Sequence, residues 1–403
     1  MAWTLQCGTA AILRKNVLPH VSRSSRRACA VLVQETGVSS LLDEVRTSSP
    51  WVIDVRAPIE YNKGHIPGAI SVPLLDDEGR AAVGKAFKTT DRFEAMKTGL
   101  KRVKLADIVT CLEQDHGCRP GADVYVYCSR GGMRSESVAW LLNICGYNAQ
   151  KVISGYKDYR KRAVLKCLEL GKTPGGCPIN VIAGRTGVGK TAVLSHLASK
   201  GERVICLETM AKHKGSVFGR IGEIHEQPSN EQFENNLSML LYLMHHGGSP
   251  DRPIWIEHEG SNLGKVNIPP SVREWIRSPP NGGKTFVLEM DMSHRVERLI
   301  SDYGSSPSTA ERASELIECM TRPKGGLRKK LGEQRLREVC KALESDQASL
   351  AANLLIQYYD SLYKKWEPSQ REGDNGDNIH HIRCRSGNAA ANAALVLKAS
   401  NHD

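Results

Sequence analysis

The residues best equipped for chemistry lie in Tyr127-Cys128-Ser129-Arg130-Gly131-Gly132-Met133-Arg134-Ser135. An apolar run, Val124-Tyr125-Val126-Tyr127, precedes them and reads as a buried strand, and Ser137-Val138-Ala139-Trp140-Leu141-Leu142 follows with helical spacing. Cys128 therefore falls at a strand-to-helix turn. There the loop N–H groups and the positive end of the helix face the sulfur, and Arg130 and Arg134 add full charges. Such surroundings lower a thiol's pKa and favour the thiolate, the nucleophilic form. Free cysteines are often inert packing residues, but two glycines and two arginines in one loop point to a reactive Cys128.

A second constellation is Gly184-Arg185-Thr186-Gly187-Val188-Gly189-Lys190-Thr191, entered from the apolar run Pro178-Ile179-Asn180-Val181-Ile182-Ala183. This is a full G-x-x-x-x-G-K-T match in strand–loop–helix context. Gly184, Gly187 and Gly189 let the backbone curl around a phosphate, Lys190 neutralises it, and Thr191 can reach Mg²⁺. Pro253-Ile254-Trp255-Ile256 ends in Glu257-His258-Glu259, where a nucleotide hydrolase usually offers an aspartate to the metal. Glu257 and Glu259 are candidates to hold Mg²⁺ or accept a proton, against a plain reading as solvated strand-end carboxylates. No histidine or cysteine lies at ligand spacing from His258, so no resident metal is expected. Lys212-His213-Lys214-Gly215 is expected near the phosphate site, and the helix after Thr285-Phe286-Val287-Leu288-Glu289 carries Arg295 and Arg298 on one face, from which they could cover phosphates.

Arg322, Lys324, Arg328, Lys329, Lys330, Arg335 and Arg337 form a dense basic series that would suit the phosphates of an RNA, although charge runs are usually solvated faces. Tyr358, Tyr359, Tyr363 and Trp366 follow, as suited to a core as to base stacking.

Positioning these groups takes more than one ordinary core, and 403 residues provide for two domains plus extensions. The chain carries a net charge of +11 with pI near 9.1, which favours an anionic partner. Residues 1–34 hold Arg14, Lys15, Arg23, Arg26 and Arg27 and no Asp or Glu, the pattern of an organelle transit peptide for mitochondrion or plastid; the alternative destination is the cytoplasm. Without those five charges the balance is 11 − 5 = +6, still basic. The twelve cysteines include no C-x-x-C pair, which argues against a zinc ribbon, and no run is long enough to span a membrane.

Upstream, Trp51-Val52-Ile53-Asp54-Val55 reads as a strand, followed by Arg56, Glu60 and Gly64-His65-Ile66-Pro67-Gly68-Ala69. Taken alone, Asp54, Arg56, Glu60 and His65 suggest a solvated edge with the histidine packed against it. Together with the Cys128 loop, these stretches resemble the rhodanese fold, whose members carry sulfur or selenium on a loop cysteine; the likeness covers residues 36–162. The Cys128-x5-Arg134 separation matches that of phosphatases resembling this fold, a reach that surrounds a tetrahedral anion. A phosphorylated chalcogen would fit it. A phosphatase is the competing reading, although Tyr127 stands where the tyrosine-phosphatase signature has histidine.

A rhodanese-like domain ahead of a P-loop, with His213-Lys214-Gly215-Ser216-x-Phe218-Gly219, Gln227-Pro228-Ser229 and Glu257-x-Glu259, closely resembles the tRNA 2-selenouridine synthase family. The chain departs from that family's pattern at Ser129, at Lys214 and at Gly260-Ser261 after Glu259. The resemblance runs from about residue 36 to about 367 and implies an α/β protein with a rhodanese-like domain (36–165), a linker (166–176) and a P-loop NTPase-like domain with a basic helical C-terminal part (177–367); the transit peptide (1–35) and a tail (368–403) lie outside it. It implies a transferase that replaces the sulfur of 2-thiouridine in tRNA with selenium through an S-geranylated intermediate. Selenophosphate and geranyl diphosphate would be co-substrates, with no tightly bound cofactor, and a selenophosphate-producing enzyme is a candidate partner. Cys128, Arg130 and Arg134 would handle the chalcogen and the P-loop the diphosphate, with Asp54, Arg56, His213, Glu257 and Glu259 in support. Geranylation or thiolation alone, or a rhodanese-like phosphatase or sulfurtransferase fused to a nucleotide switch, are the alternatives.

Overall fold

The computed structural model describes residues 33–103, 105–164, 168, 176–247, 249, 251–304, 309–323, 326–363 and 378–400. The leader up to residue 32, nearly all of the linker and Trp366 lie outside them.

Two parallel five-stranded sheets follow one another along the chain. The first contains β1 (Gln34–Thr36), β2 (Trp51–Asp54), β3 (Ile70–Ser71), β4 (Asp123–Tyr127) and β5 (Asn148–Val152) in the order β1-β5-β4-β2-β3. Val124, Tyr125, Val126 and Tyr127 are all buried, as expected of a central parallel strand covered by helices on both faces. From β2 the chain runs outward to β3, and from β4 it runs the other way to β5. The crevice at the carboxyl ends of β2 and β4 is therefore a topological switch point, and Cys128 sits on it.

The second sheet contains β6 (Ile179–Gly184), β7 (Arg203–Ile205), β8 (Ile254–Glu257), β11 (Thr285–Met290) and β12 (Ile379–Cys384) in the order β12-β11-β6-β8-β7. A short hairpin, β9 (Asn262–Leu263) with β10 (Val266–Asn267), stands apart. The tail expected at 368–403 is corrected here for residues 379–400. β12 pairs in parallel with β11 from Thr285↔Ile379 to Met290↔Cys384, and the helix Ala389–Ser400 buries Ala393 and Val396 in the same core as Val193 and Leu197 of the helix after the P-loop. Residues 378–400 thus complete the sheet edge, where an unpaired β11 would expose its backbone groups.

The α/β class and the succession of two sheets follow the sequence reading. One apolar core runs from Leu41 and Tyr127 of the first unit through Phe233 and Leu237 to Ile256 and Trp275 of the second. The helix Asn230–His246 lies at that junction. Its Asn235 is completely buried, donating to the carbonyl of His65 at 2.9 Å and to Tyr156 Oη at 2.8 Å. Among the described residues no helix is long and apolar enough to cross a membrane.

Candidate active sites

Cys128 follows β4 and precedes the helix Met133–Ile144, and its side chain is buried. The turn is shaped by backbone contacts with the short helix Gly155–Asp158. The Tyr156 N–H donates to the Cys128 carbonyl at 2.9 Å and the Lys157 N–H to that of Ser129 at 3.0 Å. Gly155 makes this approach feasible: it has φ +55, and a Cβ there would strike the Cys128 carbonyl oxygen and lie 2.7 Å from the Gly131 nitrogen.

Burial works against ionising the thiol. The Ser135 hydroxyl, 3.3 Å from the sulfur, the backbone N–H groups of Arg130 and Ser135, and the charge of Arg134 outweigh it, so the Cys128 thiol lies below its ordinary value. Arg130 thus contributes its N–H, while its side chain is exposed. Arg134 is half-buried, and its guanidinium donates to Glu60 Oε2 at 3.1 Å and to Ser129 Oγ at 3.0 Å. Sequence reasoning left Glu60 on a solvated edge and missed this contact. Glu60 lies 74 residues from Arg134, and no local pattern links them.

Asp54 and Arg56 are also removed from that edge. They form a buried bidentate pair, with 2.6 Å between Arg56 Nη2 and Asp54 Oδ2. Arg56 also donates to the Gly64 carbonyl and lies 3.9 Å from the centre of the Tyr156 ring. This is a structural clamp between the carboxyl end of β2 and the segment that meets the second domain. His65 packs as expected, stacked on Tyr61 with ring centres 3.8 Å apart.

In the second domain the P-loop joins β6 to the helix Lys190–Ser199. Gly184, Gly187 and Gly189 all have positive φ, and Gly189 meets the Arg298 guanidinium so closely that a Cβ would come within 2.6 Å of it. Arg298 therefore overlies the loop as anticipated, and its Nη1 donates to the Gly387 carbonyl of the C-terminal segment at 3.0 Å. Arg295 instead pairs with Asp360 at 2.6 Å and donates to the Thr186 carbonyl.

Lys190 Nζ lies 3.7 Å from Glu259, and Thr191 Oγ1 lies 2.6 Å from Glu208 and 3.2 Å from Glu257. The Glu208 N–H in turn donates to Glu257 at 2.7 Å. Burial first, then the neighbouring carboxylates, push Glu257 up to about 8; burial, with Glu208 also raising it and Lys190 opposing, takes Glu259 to about 7. Burial also brings His258 down to about 4, so its ring is neutral. Glu208 was missed in the sequence. The available signal was its place just past β7, at the carboxyl edge where parallel sheets gather ligand groups.

The Lys212–Gly215 turn does reach this site, since a Cβ on Gly215 would lie 3.0 Å from Glu259 and 3.1 Å from Glu208. His213 itself is packed against Gly219 and Gly264, and its Nδ1 accepts from the Gly215 N–H. Among the described residues no group of three His, Cys, Asp or Glu side chains has metal-chelating geometry.

Of the basic series, Arg322, Arg328, Lys329, Lys330, Arg335 and Arg337 are exposed, with Arg328 and Arg337 sharing Glu333 as a weak partner; Lys324 lies outside the described residues. Tyr358 is a core residue, and Tyr363 Oη accepts from the Gly184 N–H at 3.0 Å.

Two family models match the chain: a rhodanese-like domain over residues 37–162 and a tRNA 2-selenouridine synthase AAA domain over residues 177–377. Among curated relatives, the tRNA 2-selenouridine synthase of Aeromonas salmonicida is 30% identical, over 80% of this chain and 88% of that one. Those of Marinobacter nauticus and Pseudomonas syringae pv. syringae are 30% identical over 80% and 83% of this chain, and 89% and 94% of theirs. With both domains matched in order and most of each relative's length covered, the chain belongs to the tRNA 2-selenouridine synthase family.

Proposed function

We propose that this protein replaces the sulfur of 2-thiouridine at the tRNA wobble position with selenium, in two stages handled by its two sites. In the first, the nucleobase sulfur displaces diphosphate from geranyl diphosphate. Lys190 and the P-loop N–H groups stabilise the departing charge. In the second, the selenium of selenophosphate bonds to the same carbon as the C–S bond breaks and geranylthiol leaves, and water takes the phosphoryl group as the Se–P bond is cleaved, releasing phosphate. Cys128 handles the chalcogen, with Arg130 and Arg134 shaping its loop.

The observation that carries this reading is the pairing, across one shared apolar core, of a sulfur in a thiolate-favouring turn with a P-loop beside which burial raises Glu257 and Glu259 above the ordinary carboxylate range. The donor set at that P-loop fits Mg²⁺. Thr191, Glu208 and Glu257 offer hard oxygen ligands, and the raised proton affinity of Glu257, set first by burial and then by the neighbouring carboxylates, marks a place lacking positive charge. A bound Mg²⁺ would supply further charge neutralisation for diphosphate oxygens. The exposed cations from Arg328 to Arg337 support a tRNA-facing surface.

The test is mass spectrometry of nucleosides from 2-thiouridine tRNA incubated with geranyl diphosphate and selenophosphate. Cys128→Ala is expected to abolish 2-selenouridine while S-geranyl-2-thiouridine still forms, and Lys190→Ala to abolish both. Loss of geranylation in Cys128→Ala would overturn the division of labour.

A further inference from the structure

Beside the cysteine loop, three structural elements converge on one carboxylate. Glu60 Oε1 accepts from Ser129 Oγ at 2.9 Å, and Oε2 accepts from Arg134 at 3.1 Å and from Arg80 Nε at 2.9 Å. Ser129 belongs to the cysteine loop, Arg134 to the helix behind it, and Arg80 to the helix Asp77–Thr89. Burial raises the Glu60 carboxyl, but Arg134, Ser129 and Arg80 outweigh it and hold it below its ordinary value, so it is an anion among donors.

Glu60, Arg80 and Arg134 also border a cavity of about 660 Å³ walled by the helix Asp77–Thr89. Its lining places four cations, Arg80, Lys85, Lys88 and Arg134, against a single carboxylate, Glu60. The charge of this lining favours an anionic ligand. Two guanidinium groups and a hydroxyl around a carboxylate can equally engage two oxygens of a phosphate, which guanidinium groups bind in the same forked manner.

We propose that Arg80, Arg134 and Ser129 form the receptor for the phosphate end of the chalcogen donor, and that Glu60 fills it as a resident anion until the donor displaces it. The inference rests on the reading that Cys128 meets selenophosphate, and it adds the residues that would seat that donor. Arg80 is then a binding residue, although it comes from a helix outside both motifs. Lys85 and Lys88 raise the anion concentration at the mouth. Glu60 makes entry competitive, which disfavours weakly charged anions.

The test uses the full-length protein and measures how inorganic phosphate and thiophosphate slow iodoacetamide capture of Cys128. Both are expected to protect. Glu60→Gln should lower the half-protecting concentration by about tenfold, and Arg80→Gln should raise it by about tenfold, the effect of one charge-assisted contact. Arg80→Lys should recover part of the loss. The Arg80 side chain is 47% exposed, so the replacements at Arg80 leave the packing intact. Protection unchanged in Arg80→Gln, or weakened in Glu60→Gln, overturns the site. If that happens while the wild-type chain still makes 2-selenouridine, only this inference fails. If phosphate protects as expected but no 2-selenouridine forms, the anion site stands and the assigned reaction falls.

Discussion

Replacing Ser135 with alanine isolates what favours the Cys128 thiolate. The Ser135 hydroxyl is fully buried and has two acceptors in reach, the Cys128 sulfur at 3.3 Å and the Gly132 carbonyl at 3.0 Å. It has one proton to give. Against a neutral thiol the carbonyl is the better acceptor; against a thiolate the charge-assisted bond wins. The donor therefore stabilises only the ionised form. A hydrogen bond to a charged group contributes ~1.5–3 kcal/mol. At about 1.4 kcal/mol per factor of ten, the thiolate-to-thiol ratio at a given pH should fall roughly tenfold to hundredfold in Ser135→Ala. The N–H groups of Arg130 and Ser135 and the charge of Arg134 remain, which favours the lower end. The assay is the rate of iodoacetamide capture at Cys128, located by peptide mass spectrometry, as a function of pH. The midpoint should move upward, and the high-pH plateau should rise by about threefold for each tenfold loss of acidity, because thiolate nucleophilicity grows with basicity. Slower below the crossing and faster above it separates an electrostatic role from lost access, which would depress both limbs. Superimposable profiles would refute the assignment of Ser135 as the principal donor.

Three further outcomes follow from the geometry. Because Glu257 and Glu259 titrate above the ordinary carboxylate value of 4.5, at about 8 and about 7, the folded protein holds protons that the unfolded chain has released across that window; stability should fall as pH rises from 5 to 8.5, and Glu259→Gln should flatten the trend in thermal melts. Arg56→Met strands the fully buried Asp54 and should cost about 3–5 kcal/mol in urea unfolding, with part recovered in Asp54→Asn/Arg56→Met; a loss under 1 kcal/mol would mean that the pair is dispensable. Replacing Arg328, Lys329 and Lys330 with alanine should reduce the slope of log affinity for tRNA against log salt by about 2 to 3, whereas an unchanged slope would place the RNA elsewhere.

What could be read from the sequence was what the chain encodes locally. Cys128 with its glycines and arginines, and Gly184 to Thr191 behind an apolar strand, announce themselves within ten residues because a strand-to-helix turn is a local device. Glu60 and Glu208 were invisible because each acquires its role by topology. Glu60 meets Arg134 only when β2 and β4 lie side by side, and Glu208 meets Thr191 only across β8. Asp54 and Arg56 were misplaced for a related reason: charged residues read as surface until the partner that neutralises them is known. Strand β12 escaped because Ile379-His380-His381-Ile382-Arg383-Cys384 has no clean apolar alternation, and only Ile382 and Cys384 are buried, as suits an edge strand.

The remaining motif, Gln227-Pro228-Ser229, ties the surroundings of the two candidate sites together. Gln227 donates to the carbonyls of Ala211 and Leu263 at 3.0 and 2.8 Å, bracing the turn whose Gly215 abuts Glu208 and Glu259. Two residues on, Ser229 caps the helix Asn230–His246 and donates to the Lys63 carbonyl of the first domain. Along that helix Gln232 accepts from the His65 N–H at 2.8 Å, and Glu231 and Asn235 hold Tyr156 Oη. The backbone N–H of Tyr156 ends the path on the Cys128 carbonyl. Residues 227–235 thus touch the surroundings of both sites through polar contacts that, apart from the exposed one of Ser229 with Lys63, are buried or half-buried. Such contacts are costly to break one at a time, so they fix the relative placement of the two sites more firmly than apolar packing alone. On the two-stage reaction proposed above, a base passed between them would meet a constant geometry, as an exchange on one carbon atom requires.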